Sequence, residues 1–173
     1  LICMSTMSVV SMTNGLANFI SQNKAAGKID RIRKSFWILL LYSMTVSIVF
    51  LIIFVLFPEP LTRLFVQSGK LTEQAMAYSV QYLTIVSCFL PVVCVKIVAD
   101  GAVRGSGGNV GFTVSTFSDL VLRVLLVYTL TGAGWGFKGV CWAWDIGWSI
   151  STVIAVVFLF ISFRKLKKYS CAV

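Results

Sequence analysis

FWILLLYSMTVSIVFLIIFVLF, residues 36 to 57, contains no charged side chain. A hydrocarbon core about 30 Å thick is crossed by roughly 20 apolar residues in an α-helix, and this stretch has that length. It ends at Pro58-Glu59-Pro60, where two residues without an amide hydrogen stop the helix. The same ruler, moved outward, gives four further spans at residues 1–23, 74–104, 110–131 and 139–163. The expected fold is therefore all-α, a polytopic transmembrane bundle of five helices.

Composition agrees. Hydrophobic residues make up 58% of the chain and charged residues 12%, with a mean hydropathy of +0.91. A soluble domain carries about a quarter of its residues charged, because its surface must face water. The first residue is Leu1, and neither an n-region nor a cleavage site accompanies the first apolar stretch, so a signal peptide is not expected. A fragment of a longer chain is.

The net charge of +9 raises nucleic-acid binding as a class, and the placement of the charge excludes it. Most basic residues fall in two clusters, Lys24 to Lys34 and Arg164 to Lys168, each beside an apolar run. That is the pattern of anchors meeting anionic headgroups. Alternating spans put the loops at 24–34 and 104–109 and the C-terminus on one side. That side holds Lys24, Lys28, Arg31, Arg33, Lys34, Arg104, Arg164, Lys165, Lys167 and Lys168, against Arg63, Lys70 and Lys138 opposite. Ten against three makes the first side cytoplasmic.

Catalytic and metal chemistry find no footing. There is no histidine, and Cys3, Cys88, Cys94, Cys141 and Cys171 lack CxxC spacing, so neither a zinc site nor a disulfide framework is expected. Arg104-Gly105-Ser106-Gly107-Gly108-Asn109 lacks Walker spacing and reads as a tight turn. No cofactor is expected, and the protein is not read as an enzyme.

Charges within the spans point instead to transport. A charged side chain near the centre of a membrane helix costs about 2.5–3.5 kcal/mol. Asp100 has Lys96 four residues before it and Arg104 four after, and Asp119 and Arg123 repeat the spacing, which places each set on one helical face. These groups either neutralise one another and pin the third and fourth spans together, or line a water-filled path. Asp145 has no basic residue three or four positions away. It is either wet at the outer end of its span or a carboxylate that loads and releases a proton. Met4, Met7, Ser11, Asn14, Asn18 and Ser21 form a stripe on the first span. Such a stripe serves helix packing or offers an adaptable surface to organic solutes.

One aromatic group and one apolar group remain. Trp135, Trp142, Trp144 and Trp148 cluster at the outer end of the last span, as an aromatic belt does, with a cation–π site as the alternative. Between residues 58 and 73, Leu61, Leu64 and Phe65 fall on one side of a short helix that either lies in the membrane interface or is a solvated connection.

Several segments resemble the multidrug and toxic compound extrusion (MATE) family, particularly its DinF-like members. The first is Phe19-Ile-Ser-Gln-Asn-Lys-Ala-Ala-Gly-Lys-Ile-Asp-Arg-Ile-Arg-Lys34, similar to the family's xQNxGAGKxDRxRK loop. Glu59-Pro-Leu-Thr-Arg-Leu-Phe65, Asp100-Gly-Ala-Val-Arg-Gly-Ser-Gly107 (like GxLRGxG) and Trp142-Ala-Trp-Asp-Ile-Gly-Trp148 follow in the family's order. The resemblance implies most of one six-helix lobe, the C-terminal one, with its first helix and the N-terminal lobe outside this sequence. It also implies export of organic, cationic compounds across the plasma membrane in exchange for sodium or protons. The chain departs from the pattern at Ala25, usually glycine, at Gly108, often acidic, and at Asp145, where the family tends to have proline. Val92-Val93-Cys94 stands where some members carry a cation-binding carboxylate, so that site does not transfer.

The ion and solute path is expected to draw on Asn14, Asn18, Lys96, Asp100, Asp119, Arg123 and Asp145. Two other readings compete, a flippase of lipid-linked saccharides, which Lys96 and Arg123 would suit, and a truncated, non-transporting membrane subunit. Labelling of single introduced cysteines is expected to find residues 24–34 and the C-terminal tail on the same side of the membrane. Labelling from opposite sides overturns the topology.

Overall fold

The computed structural model describes residues 1–65 and 73–170. Lys70, Cys171 and the side chains of Phe65 and Lys168 lie outside that part. Seven α-helices follow in order: α1 Ile2–Ala25, α2 Ile29–Leu56, α3 Pro58–Phe65, α4 Glu73–Ser87, α5 Leu90–Gly105, α6 Asn109–Leu130 and α7 Gly136–Ser170. Helix is what an apolar solvent demands, because every backbone polar group must be satisfied within the chain. Side-chain hydroxyls follow suit. Ser43 donates to the Leu39 carbonyl at 2.7 Å and Thr45 to the Leu41 carbonyl at 3.0 Å, so these hydroxyls are satisfied within α2.

The exterior is apolar. Trp37, Leu41, Leu56, Phe117 and Val153 are all more than half exposed, as in a bundle surrounded by lipid rather than water. By length and composition, two helical stretches among the described residues are fit to cross a membrane, Ile29–Leu56 and Asn109–Lys167. A third qualifies if Glu73–Ser87 and Leu90–Gly105 are taken as one. Helix α1 falls short because its Ser, Thr and Asn residues dilute its hydropathy. The 28 residues of α2 extend about 42 Å at 1.5 Å each, enough to cross with some tilt.

Residues 74–104, read above as one span, are broken in two. Helices α4 and α5 meet at 55° across a short gap. Pro91 lies in the first turn of α5. Lacking an N–H, it cannot bond back to the Ser87 carbonyl, and its ring crowds that carbonyl. The chain tightens there through bonds from Cys88 N to Ile85 O and Phe89 N to Val86 O, each 3.2 Å.

The long stretch 109–167 also turns back on itself. A π-turn at Thr131–Trp135 contains Gly134 at φ 86°, and Gly136 follows at φ 52°, a region open to glycine. Helices α6 and α7 then run antiparallel: Gly111 lies against Phe158, Asp119 and Arg123 lie against Gly147, and Leu130 lies against Gly139.

Two turns close the opposite end of the bundle. Gly27 (φ 70°) ends α1, with Lys28 N bonded to Asn23 O at 2.9 Å and Gly27 N to Lys24 O at 3.1 Å. Gly107 (φ 85°) ends α5 with the same pair, Gly108 N to Val103 O at 2.9 Å and Gly107 N to Arg104 O at 3.0 Å. Both are Schellman closures, which cap orphan carbonyls through a left-handed residue. Lys24 Nζ donates to the Ser106 carbonyl at 2.7 Å and joins the two turns. The C-terminal part of α7 packs at this same end, where Phe163 meets the Phe36 ring edge-on at 5.4 Å and Leu166 is buried. The basic clusters at 24–34 and 164–167 thus share one end.

Helix α5 is the hub, packed against α1, α2, α6 and α7. Its approach to α1 is possible only because Gly101 and Gly105 carry no side chain. A Cβ on Gly101 would collide with Thr13, and one on Gly105 would stand 2.5 Å from the Ala17 carbonyl. Small residues four apart let membrane helices approach closely. Gly105→Ala is expected to destabilise the protein by about 1–3 kcal/mol, the usual cost of overpacking, read as a lower melting temperature in detergent. Gly132→Ala, where nothing lies within 4 Å, is expected to be neutral.

Candidate functional site

On α1 the polar-methionine stripe faces outward. Met4, Met7, Ser11, Asn14, Asn18 and Ser21 are all exposed, while Ile2, Val9, Thr13, Leu16, Ala17 and Ile20 form the buried face. The stripe therefore does not serve packing within this bundle. Asn14 accepts a hydrogen bond from Arg104 at 2.5 Å. Asn18 is exposed one turn further on.

Arg104 is thereby withdrawn from Asp100, and the expected three-residue set separates. Lys96 Nζ and Asp100 Oδ2 pair at 2.7 Å, whereas Arg104 reaches across to α1 and stacks over the Phe112 ring at 5.5 Å. Arg104 sits in the last turn of α5, and Asn14 lies on α1 between Thr13, which touches Gly101, and Ala17, which touches Gly105, so the guanidinium leans back along α5 and meets α1 instead of Asp100. Asp100 Oδ1 is left without a hydrogen bond, as is the buried Ser115 hydroxyl of α6 beside it.

Asp119 and Arg123 pair on α6 at 2.7 Å. They do not pin α6 to α5, as one reading expected; they pack on α7, where Gly147 leaves room for them. The Arg123 guanidinium lies 4.0 Å from the centre of the Trp144 ring and 5.8 Å from that of Trp148. An ion pair with an aromatic cover lowers the penalty of holding a charge away from water. Asp119 Oδ1 and Arg123 Nε keep no hydrogen bond. Asp119 lies near enough to Asp100 for their charges to act on one another.

Two expectations are corrected here. Asp145 is not wet: it is fully buried on α7, and neither of its oxygens has a partner. The tryptophans are not a uniform belt. Trp135 and Trp142 are exposed, but Trp148 is buried in the core with Ile2, Phe54 and Leu90, stacked edge-on with Trp144 at 5.5 Å. The short α3 forms as expected, with Leu61 and Leu64 three apart on one side of it; Leu61 packs against the bundle and Leu64 is exposed.

Ser115, Tyr82 and Thr13 are polar residues beside these groups that sequence reasoning passed over. Tyr82 of α4 stands where the charges of Asp145 and Arg123 both act on it, and the Thr13 hydroxyl is buried without a partner. A signal existed for Ser115: Gly111, Ser115, Asp119 and Arg123 are spaced four apart, a small-to-polar stripe on α6. None existed for Tyr82, whose neighbours come from other helices. Among the described residues, no group of three or more Cys, Asp and Glu side chains is placed to hold a metal ion.

A family model described as MatE matches residues 2–129. The fold is similar to a structure titled "Inward-facing conformation of a multidrug resistance MATE family transporter of the MOP superfamily", with a TM-score of 0.86 and 15% identity. That match covers 96% of this chain and 38% of the other, so the present sequence spans well under half of that protein. No curated protein matches the sequence.

Breaking one partner of a buried pair costs more than removing both, because the survivor keeps its desolvation penalty. Asp119→Asn is expected to lower stability by about 1–3 kcal/mol. The double variant Asp119→Asn with Arg123→Gln is expected to lose less than the two single losses added together. Thermal unfolding of the four proteins in detergent measures the coupling.

Proposed function

The chain belongs to the MatE family, and on that premise we propose that it is part of a secondary active transporter that exports organic, cationic compounds by antiport against sodium ions or protons. The observation that carries the reading is the open face of α1. Met4, Met7, Ser11, Asn14, Asn18 and Ser21 are exposed along one helix of a bundle that turns many large apolar side chains outward. Polar side chains turned toward lipid would each lose hydrogen bonds, so this face belongs against water, solute or another polar surface. Methionine beside amide groups suits solutes of varied shape.

The rest of the arrangement follows from it. The stripe lines a central cavity shared with the N-terminal lobe, and this chain supplies most of the C-terminal lobe. Five crossings, α1, α2, the bent α4–α5 pair, α6 and α7, are supported by the two Schellman turns and the end of α7 lying at one end of the bundle. The exposed Lys28, Arg31, Arg33, Lys34, Arg164, Lys165 and Lys167 at that end favour the cytoplasmic face of a plasma membrane. Parallel repeats that rock about an axis along the membrane normal are a general design of such carriers. The family assignment favours export over saccharide flipping.

The test is ethidium efflux from vesicles containing the protein in its full natural length, with sodium and pH gradients imposed separately. Efflux is expected to accelerate several-fold under one of the gradients and to slow when Asn18 is replaced by Leu. Equal efflux with and without each gradient overturns the antiport reading.

A further inference from the structure

Between the two ends of the bundle lie three acidic side chains, Asp100, Asp119 and Asp145, and two basic ones, Lys96 and Arg123. Both cations are committed, Lys96 to Asp100 and Arg123 to Asp119, each at 2.7 Å. One carboxylate is left over. It is Asp145, at 0% exposure, with neither oxygen hydrogen-bonded.

Among the described residues, the helices packed about Asp145 bring no uncommitted cation to it. Helix α4 presents Tyr82, a neutral phenol within reach of the Asp145 charge. Helix α6 presents Arg123, held by Asp119 and by the Trp144 ring. Helix α5 contributes Leu90 and Val93 to the same core, its Lys96 and Asp100 are spent on one another, and its Cys94 lies against Ser47 of α2. Helix α1 brings the thiol of Cys3 near Tyr82, and α7 itself adds that of Cys141. A bare carboxylate in such a place is neutralised rather than left charged.

The donor set selects the neutralising cation. A hard metal ion takes several oxygen ligands, whereas among the described residues no group of three or more Cys, Asp and Glu side chains is placed to hold one. The Ser149 hydroxyl donates to the Asp145 backbone carbonyl at 2.8 Å, and the Ser151 hydroxyl donates to the Trp148 carbonyl at 3.1 Å. A proton needs none of these ligands.

We propose that Asp145 is a proton-binding site on α7, loaded from water and carried as the neutral acid while the bundle is closed around it. One O–H bond forms on loading and breaks on release, and the proton returns to water when the contact between α4 and α7 opens. The role of this proton in export rests on the antiporter reading, but the existence of the protonated group does not.

The experiment is infrared spectroscopy of the full-length protein at neutral pH in H2O and in D2O. A carboxylic C=O band that shifts in D2O is expected in the unaltered protein, lost in Asp145→Asn and moved in Asp145→Glu, which keeps the titrating group if the amide variant folds poorly. The band persisting unchanged in both variants overturns the proposal. So does its replacement by carboxylate bands when sodium is added at constant pH, which would mark a sodium site. In vesicles, acceleration of ethidium efflux by a pH gradient is expected to fall at least tenfold in Asp145→Asn. If the unaltered protein shows the band but exports nothing under any gradient, the proton site stands and the exporter reading fails.

Discussion

The contact of Gly101 and Gly105 with Thr13 and Ala17 sets the distance between α5 and α1, and much else follows from it. With α5 drawn in this far, its other faces meet α2, α6 and α7, and Val98, Ala102 and Val103 are sealed in the core. No hydrophobic effect draws apolar helices together in lipid, so close van der Waals contact has to do it. A side chain at either glycine would push α1 outward and change the direction of its stripe. The presentation of Asn14 and Asn18 is thus fixed by glycines on a different helix.

The charges follow a second constraint, that an ionic group away from water has to be met by a partner close by. Spacing of four along a helix supplies the partner locally, before any tertiary contact forms. This is how Lys96 with Asp100 and Arg123 with Asp119 are tolerated. Tertiary packing then adds the Trp144 ring over Arg123 and the space at Gly147. Asp145 has no such local partner, and the packing that buries it provides none. The unsatisfied atoms Asp100 Oδ1, Ser115 Oγ, Asp119 Oδ1 and both oxygens of Asp145 lie on α5, α6 and α7.

Legibility in the sequence followed the range of the interaction involved. The all-helical architecture, the turns at Gly27 and Gly107 and the two ion pairs were readable because each depends on residues within a few positions. The break before Pro91 was readable in principle, since proline forbids the bond that would continue the helix, yet a hydropathy window averages across it. Arg104 misled because the i,i+4 rule names two neighbours for Asp100 without saying which one a third helix will claim. Trp148 misled because tryptophan near a span end usually marks the membrane interface, and only the placement of Ile2, Phe54 and Leu90 around it makes it core.

The sequence by itself determined that the chain is a helical bundle clothed in apolar residues, with its basic clusters beside the ends of its helices. Those properties are sums over local composition and short spacings, and no alternative packing would alter them. Tertiary structure alone decided that the α1 stripe is open, that Arg104 binds Asn14, and that Asp145 is fully buried with neither oxygen hydrogen-bonded among the described residues. Each of those depends on which helices stand side by side, and that is set by close contacts between glycines and residues tens of positions away.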